Sequence, residues 1–189
     1  PRDAWKLYDE VPTGLRRFVR FWDKAGTEKG KGARTAGVLM AKDKDGRCYV
    51  ENVVHGQWEP DERNKMMRAT ALRDRAKYGP KHEPTIWVEM EGGSAGRDAW
   101  LGVIRALAGF VVREDNISGM GNKDVRAEPW SVQCAGGNVT LIEDGTWDIN
   151  GYVREHVEFK PEHGSGQKRG RYKDMVDAYV QLILWTDNL

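Results

Sequence analysis

Arg17-Phe18-Val19-Arg20-Phe21-Trp22-Asp23-Lys24-Ala25 is the stretch on which the fold turns. Phe18, Val19, Phe21 and Trp22 are the large apolar residues that favour a buried β-strand. The run ends in an acid, Asp23, followed by the turn and loop residues Gly26, Thr27, Gly30 and Gly32. An acid at the tip of such a strand lies where a sheet opens to solvent. Two later acidic groups have the same character: Glu89 and Glu91 after Thr85-Ile86-Trp87-Val88, and Asp174 with Asp177 in a C-terminal amphipathic segment. The expectation is a fold that brings these three groups together.

Outward from that strand, residues 16–23 are read as the first strand, with 1–14 an irregular entry segment containing Pro12 and Gly14. Residues 35–42 and 47–56 are two further strands. Asp43-Lys44-Asp45-Gly46 between them is a hairpin turn in which Gly46 supplies the positive φ. The chain thus opens as an antiparallel meander. Residues 60–78 form a helix: Pro60 suits the first turn, Asp61 and Glu62 suit the positive end, and Gly79-Pro80 ends it. Met66, Met67, Ala69, Thr70 and Leu72 lie at helical spacing, a pattern that suits packing against a core.

The second half alternates. Residues 84–90 are a short apolar strand, and a helix follows from the Gly-rich turn 92–96, with Ser94 as its cap, to about Gly109. Phe110-Val111-Val112 is a strand, 123–134 a helix interrupted by Pro129, 138–142 a strand, 147–159 a helix, 161–170 a Gly-rich charged loop and 172–185 the last helix. A meander followed by strand–helix–strand crossovers predicts an α/β fold with a mixed sheet and helices outside it.

The 189 residues, 39% of them apolar and 31% charged, suit one soluble domain with a full-sized core. No apolar run approaches the roughly 20 residues of a membrane span. The N-terminus has no signal-peptide pattern and lacks Met, as a piece of a longer chain would. Cys48 and Cys134 stand far apart, and His55, His82, His156 and His163 show no ligand spacing. That argues against a zinc site or a disulfide framework and for a reduced intracellular setting. The formal net charge of +1 does not by itself point to nucleic acid. Lys168, Arg169, Arg171 and Lys173, set among glycines, suit either a solvated loop or phosphate contacts.

Glu89 and Glu91 are two apart, so a strand would place both on one face, where they repel unless a cation neutralises them. Asp174 and Asp177 are three apart, neighbours on a helix. Carboxylates from separate elements, without His or Cys, select hard cations such as Mg²⁺ or Mn²⁺. Two such ions can clamp an in-line phosphoryl displacement. There is no Gly-x-x-x-x-Gly-Lys-Ser/Thr loop and no Gly-x-Ser-x-Gly elbow. Asp23 alone would also suit a loop-entry acid after a strand, and each of the two pairs a cap or an ion pair.

Four segments occur in order: Arg20-Phe21-Trp22-Asp23-Lys24-Ala25, Val88-Glu89-Met90-Glu91-Gly92-Gly93-Ser94-Ala95-Gly96-Arg97, Lys123-Asp124-Val125-Arg126-Ala127-Glu128-Pro129 and Lys173-Asp174-Met175-Val176-Asp177-Ala178. Together they resemble the C-terminal nuclease domain of the large terminase subunit of tailed bacteriophages and prophages, over about residues 17–185. The resemblance implies an RNase H-like fold and a metal-dependent endonuclease that cuts concatemeric double-stranded DNA. It implies an entry or linker segment over 1–15, a nuclease domain over 16–189, and an ATPase domain that lies outside this chain. It places the catalytic, metal-holding acids on Asp23, Glu89 and Asp174, with Asp23 bridging two Mg²⁺ or Mn²⁺ ions and Glu91 and Asp177 as alternates. Lys168, Arg169 and Arg171, then Lys123 and Arg126, are the expected DNA contacts. The implied partners are double-stranded DNA, the terminase ATPase domain, the small terminase subunit and the portal, with no membrane, in the host cell cytoplasm; the isolated domain is expected to be monomeric. Where relatives carry a double acid this chain has Lys173-Asp174, which leaves Asp174 and Asp177 as alternatives. A junction resolvase or transposase core would share such a metal site, and a non-catalytic DNA-binding or docking module would carry the acids as structural residues.

Overall fold

The computed structural model describes residues 5–15, 17–24, 34–90, 93–115 and 123–158, with the backbone alone for 123–127. Seven strands form one mixed sheet: β1 Lys6–Tyr8, β2 Phe18–Asp23, β3 Thr35–Lys42, β4 Cys48–Gly56, β5 Thr85–Glu89, β6 Val112–Asp115 and β7 Val139–Ile142. Among the described residues four helices flank it: α1 Pro60–Tyr78, α2 Gly93–Ala106, α3 Lys123–Ala135 and α4 Ile149–Glu158; the helix read at 172–185 lies outside them. The strand order is β1-β7-β4-β3-β2-β5-β6. β2, β3 and β4 are the antiparallel meander read from the sequence, and β5 and β6 extend it in parallel from β2.

The meander turns as the sequence predicts. Gly46 takes φ 83°, and the Asp43 carboxylate accepts hydrogen bonds from the backbone N–H of Asp45 and of Arg47, both at 2.9 Å. Each face of the sheet is covered. Trp22, Ile86 and Val88 meet Met67, Ala71 and Val103 of α1 and α2 on one face. Val19, Phe21, Val38, Val50 and Leu141 meet Trp130, Tyr152 and Val153 of α3 and α4 on the other. Trp22 fits because its β3 partner is Gly37: a Cβ there would stand 2.6 Å from the indole ring.

Helix α1 has the bounds read from the sequence, but its buried face differs from the expected apolar pattern. Arg63, Met67, Thr70, Ala71 and Asp74 are buried, whereas Leu72 is exposed. The acid is buried because Arg20 of β2 lies beneath it. Arg20 donates to both Asp74 oxygens, Nε to Oδ2 at 2.9 Å and Nη2 to Oδ1 at 2.8 Å. Its Nη1 reaches the Gly37 carbonyl at 3.2 Å and the Asn52 side-chain oxygen at 3.1 Å. A charge removed from water needs this degree of pairing.

Three readings need correction. Residues 6–8, taken as irregular, pair in parallel with β7, Lys6 opposite Thr140 and Tyr8 opposite Ile142. The strand is three exposed residues long, so no apolar alternation marks it; backbone bonding to an open sheet edge forms it. The strand placed at 110–112 runs instead over 112–115, because the turn after α2 extends through Phe110. Helix α2 begins at Gly93 and ends at Ala106, short of Gly109.

Candidate functional site

Strands β2, β5 and β6 run in parallel, so their carboxyl ends share one edge of the sheet. In open α/β sheets this is the edge outside which ligands bind. Each of the three strands ends in an acid: Asp23, Glu89 and Asp115. Trp22 pairs with Val88, so the next positions, Asp23 and Glu89, stand side by side. Glu89 pairs directly with Asp115. Neighbouring strands lie about 4.8 Å apart, so the three acids form one row across three strands.

Alternation along each strand places this row on a single face. Phe21 packs into the α3/α4 core and Trp87 packs against it, while Trp22, Ile86 and Val88 belong to the opposite core. Asp23 and Glu89 share the side of Phe21 and Trp87, as Asp115 shares that of Arg113. Asp23 is nearly buried and Asp115 fully so. None of the three acids lacks a partner.

The sequence reading singled out two members of the row, Asp23 and Glu89, and missed Asp115. The missing signal was present: Val-Arg-Glu-Asp ends in an acid just as Phe-Trp-Asp and Trp-Val-Glu do. It was masked by placing the strand two residues early. Lys123 and Arg126 fall in α3, which follows β6 in the chain. Glu91, Asp174, Asp177, Lys168, Arg169 and Arg171 lie outside the described residues. Among the described residues, no three His, Cys, Asp or Glu side chains form a group able to hold a metal ion. The row alone therefore offers carboxylate oxygens at a sheet edge, and a complete site would need a further element.

Histidine and cysteine take no part in the row. His156 is buried beside Tyr152, with ring centroids 4.0 Å apart, and its Nδ1 lies 2.9 Å from the Tyr152 carbonyl oxygen. Burial depresses its pKa to about 4, so the ring is neutral at pH 7 and serves packing. Burial pushes the Cys134 thiol up to about 12, which leaves it unreactive. A second buried acid, Glu51 on β4, is raised by desolvation and held by Lys77, Oε1 to Nζ at 2.5 Å. Like Arg20 and Asp74, it joins the meander to α1. The carboxyl ends of β2, β5 and β6 thus rise from a sheet tied to α1 by the buried Arg20–Asp74 pair and by Lys77 on Glu51.

No helix among the described residues is long and apolar enough to cross a membrane. The sequence matches no family model and no curated protein. Solved structures do match its fold. The large terminase nuclease from thermophilic phage G20c with bound magnesium superposes with a TM-score of 0.62, covering 97% of this chain and 94% of that one at 13% identity. The human cytomegalovirus terminase nuclease domain, soaked with manganese, gives 0.59 over 98% of this chain and 91% of that one at 11% identity. The G20c nuclease with bound zinc gives 0.59 over 95% and 93% at 12% identity. The chain has the RNase H-like fold of these nuclease domains, a mixed sheet with helices on both faces.

Proposed function

We propose that this chain is the metal-dependent endonuclease domain of a viral DNA-packaging terminase, cutting concatemeric double-stranded DNA by two-metal-ion hydrolysis. The observation that carries the reading is the placement of Asp23 and Glu89 at the ends of adjacent parallel strands, on one face of an RNase H-like sheet. The donors are all carboxylate oxygens, which fit Mg²⁺ or Mn²⁺ better than zinc. Asp23, from the strand flanked by β3 and β5, would hold both ions. Glu89 and Asp174 would each hold one, with Glu91 and Asp177 as alternates. When bound, the ions would activate the attacking water and stabilise the leaving oxygen of the phosphodiester. Asp23 and Glu89 stand on adjacent paired strands, so cations held there would sit on a fixed part of the sheet edge and offset the carboxylate charge.

Lys168, Arg169 and Arg171 serve as contacts to the DNA backbone, with Lys123 and Arg126 as additional ones. Neutralising Lys168, Arg169 and Arg171 together should weaken binding about equally on all duplex sequences. The salt dependence should flatten by roughly one unit of slope per lost contact. An unchanged slope in the triple variant would move the DNA elsewhere. The ATPase domain, the small terminase subunit and the portal are the assembly partners in this reading.

Plasmid nicking by the whole chain in Mn²⁺, and its loss in EDTA, is the direct test. Absence of cleavage on linear, supercoiled and branched DNA would reject the nuclease reading. Preference for branched over linear DNA would favour a junction resolvase. A substrate-free measurement addresses the ion site itself. A cation binding only the folded state at a hundredfold excess over its dissociation constant adds about 2.7 kcal/mol. For a domain of this size that raises the melting temperature by about 5–10 °C. Millimolar Mn²⁺ should produce such a shift in the wild type and a much smaller one in Asp23→Asn. Equal shifts in the two proteins would remove Asp23 from the ion site.

A further inference from the structure

One row behind the acids, in the same register, stand Phe21, Trp87 and Arg113. All three share the face that carries Asp23, Glu89 and Asp115. Phe21 is buried, Trp87 is half-buried and Arg113 is exposed on β6, the last strand of the sheet among the described residues. The Arg113 guanidinium lies over the Trp87 ring, 5.6 Å from its centroid. A guanidinium resting on an aromatic ring uses its flat face and keeps its in-plane N–H fork for an anion.

We propose that Arg113, seated on Trp87, contacts a backbone phosphate of the nucleic-acid strand that enters the acid row. The inference rests on the nuclease reading above. Two residues along a strand rise about 6.6 Å, comparable with the spacing of successive phosphates on one strand. A phosphate held at Arg113 would therefore set a neighbouring phosphodiester at the level of Glu89. The carboxylate row repels a polyanion, and a cation one row behind it offsets that repulsion without entering the ion site. Trp87 limits the rotamers of a long side chain, which lowers the entropy lost on binding. The contact carries no base information, so it positions the strand without selecting sequence.

The test uses the whole chain and a labelled duplex oligonucleotide of mixed sequence, with binding measured in Ca²⁺ and cleavage in Mn²⁺. Arg113→Gln should bind about tenfold more weakly than wild type, with a salt slope lower by about 0.9. In cleavage the loss should fall mainly on KM. Arg113→Lys should restore the slope but only part of the affinity, because a point charge lacks the bidentate fork. Both variants should keep the wild-type melting temperature and its Mn²⁺-induced rise. Wild-type affinity and slope in Arg113→Gln, in a protein that cuts DNA, would overturn the proposal and leave the nuclease reading standing. A wild-type chain that neither binds nor cuts DNA would overturn both. A large melting loss in Arg113→Gln that Arg113→Lys does not restore would also overturn it, since Arg113 would then be holding the sheet.

Discussion

Asp23→Asn is expected to lower DNA cleavage by about 10³-fold or more, equivalent to about 4 kcal/mol of transition-state stabilisation. The substitution keeps the side-chain volume and removes the charge. Asp23 ends the strand between β3 and β5, so its backbone is held on both sides, by Ala36 of β3 in register and by the β5 pairing that runs up to Trp22. The fold should therefore persist while the charge proposed to hold the ions is lost. Glu89→Gln and Asp174→Asn should have effects of the same order if, as proposed above, each supplies one carboxylate to the ions. The measurement is single-turnover nicking in Mn²⁺, with circular dichroism to establish folding. A folded Asp23→Asn protein that nicks at the wild-type rate would exclude the mechanism.

Asp74→Ala should cost about 3–5 kcal/mol, because it leaves the Arg20 guanidinium charged and buried without its carboxylate. For a domain of this length that is a fall in melting temperature of about 6–20 °C. Arg20 is almost wholly buried, and its remaining contacts are the Gly37 carbonyl and Asn52. Neither neutralises a positive charge. Replacing both partners, as Arg20→Met with Asp74→Leu, should recover part of the loss. Recovery should be incomplete, because the Gly37 carbonyl loses its side-chain donor. Urea unfolding of the two single variants and the double variant gives the coupling directly. An Asp74→Ala protein within about 1 kcal/mol of wild type would mean that water reaches Arg20. Cleavage well below the melting temperature should survive, since Asp74 lies under the face opposite the acid row.

The parts of this fold legible in the sequence are those set by neighbours along the chain. The Asp-Lys-Asp-Gly turn, its two flanking strands and the Pro-to-Gly span of α1 are local signals, and the structure has them within one residue of the bounds read. The strand ending at Asp23 was legible for the same reason: a large apolar run stopped by an acid is a pattern within a few residues. Tertiary structure decided whatever depends on which strand lies beside which. Lys6–Tyr8 carries no strand pattern and becomes a strand by pairing with β7, whose residues lie more than 130 positions away. Nothing within α1 itself marks Asp74 for burial; β2 brings Arg20 beneath it. Asp115 lies beyond the strand read at 110–112 and stands beside Glu89 only through the register of β5 and β6. Local sequence specifies which residues prefer an extended or helical backbone. The register between strands is set by the packing of both faces of the sheet at once, and that sum over distant residues has no local signature.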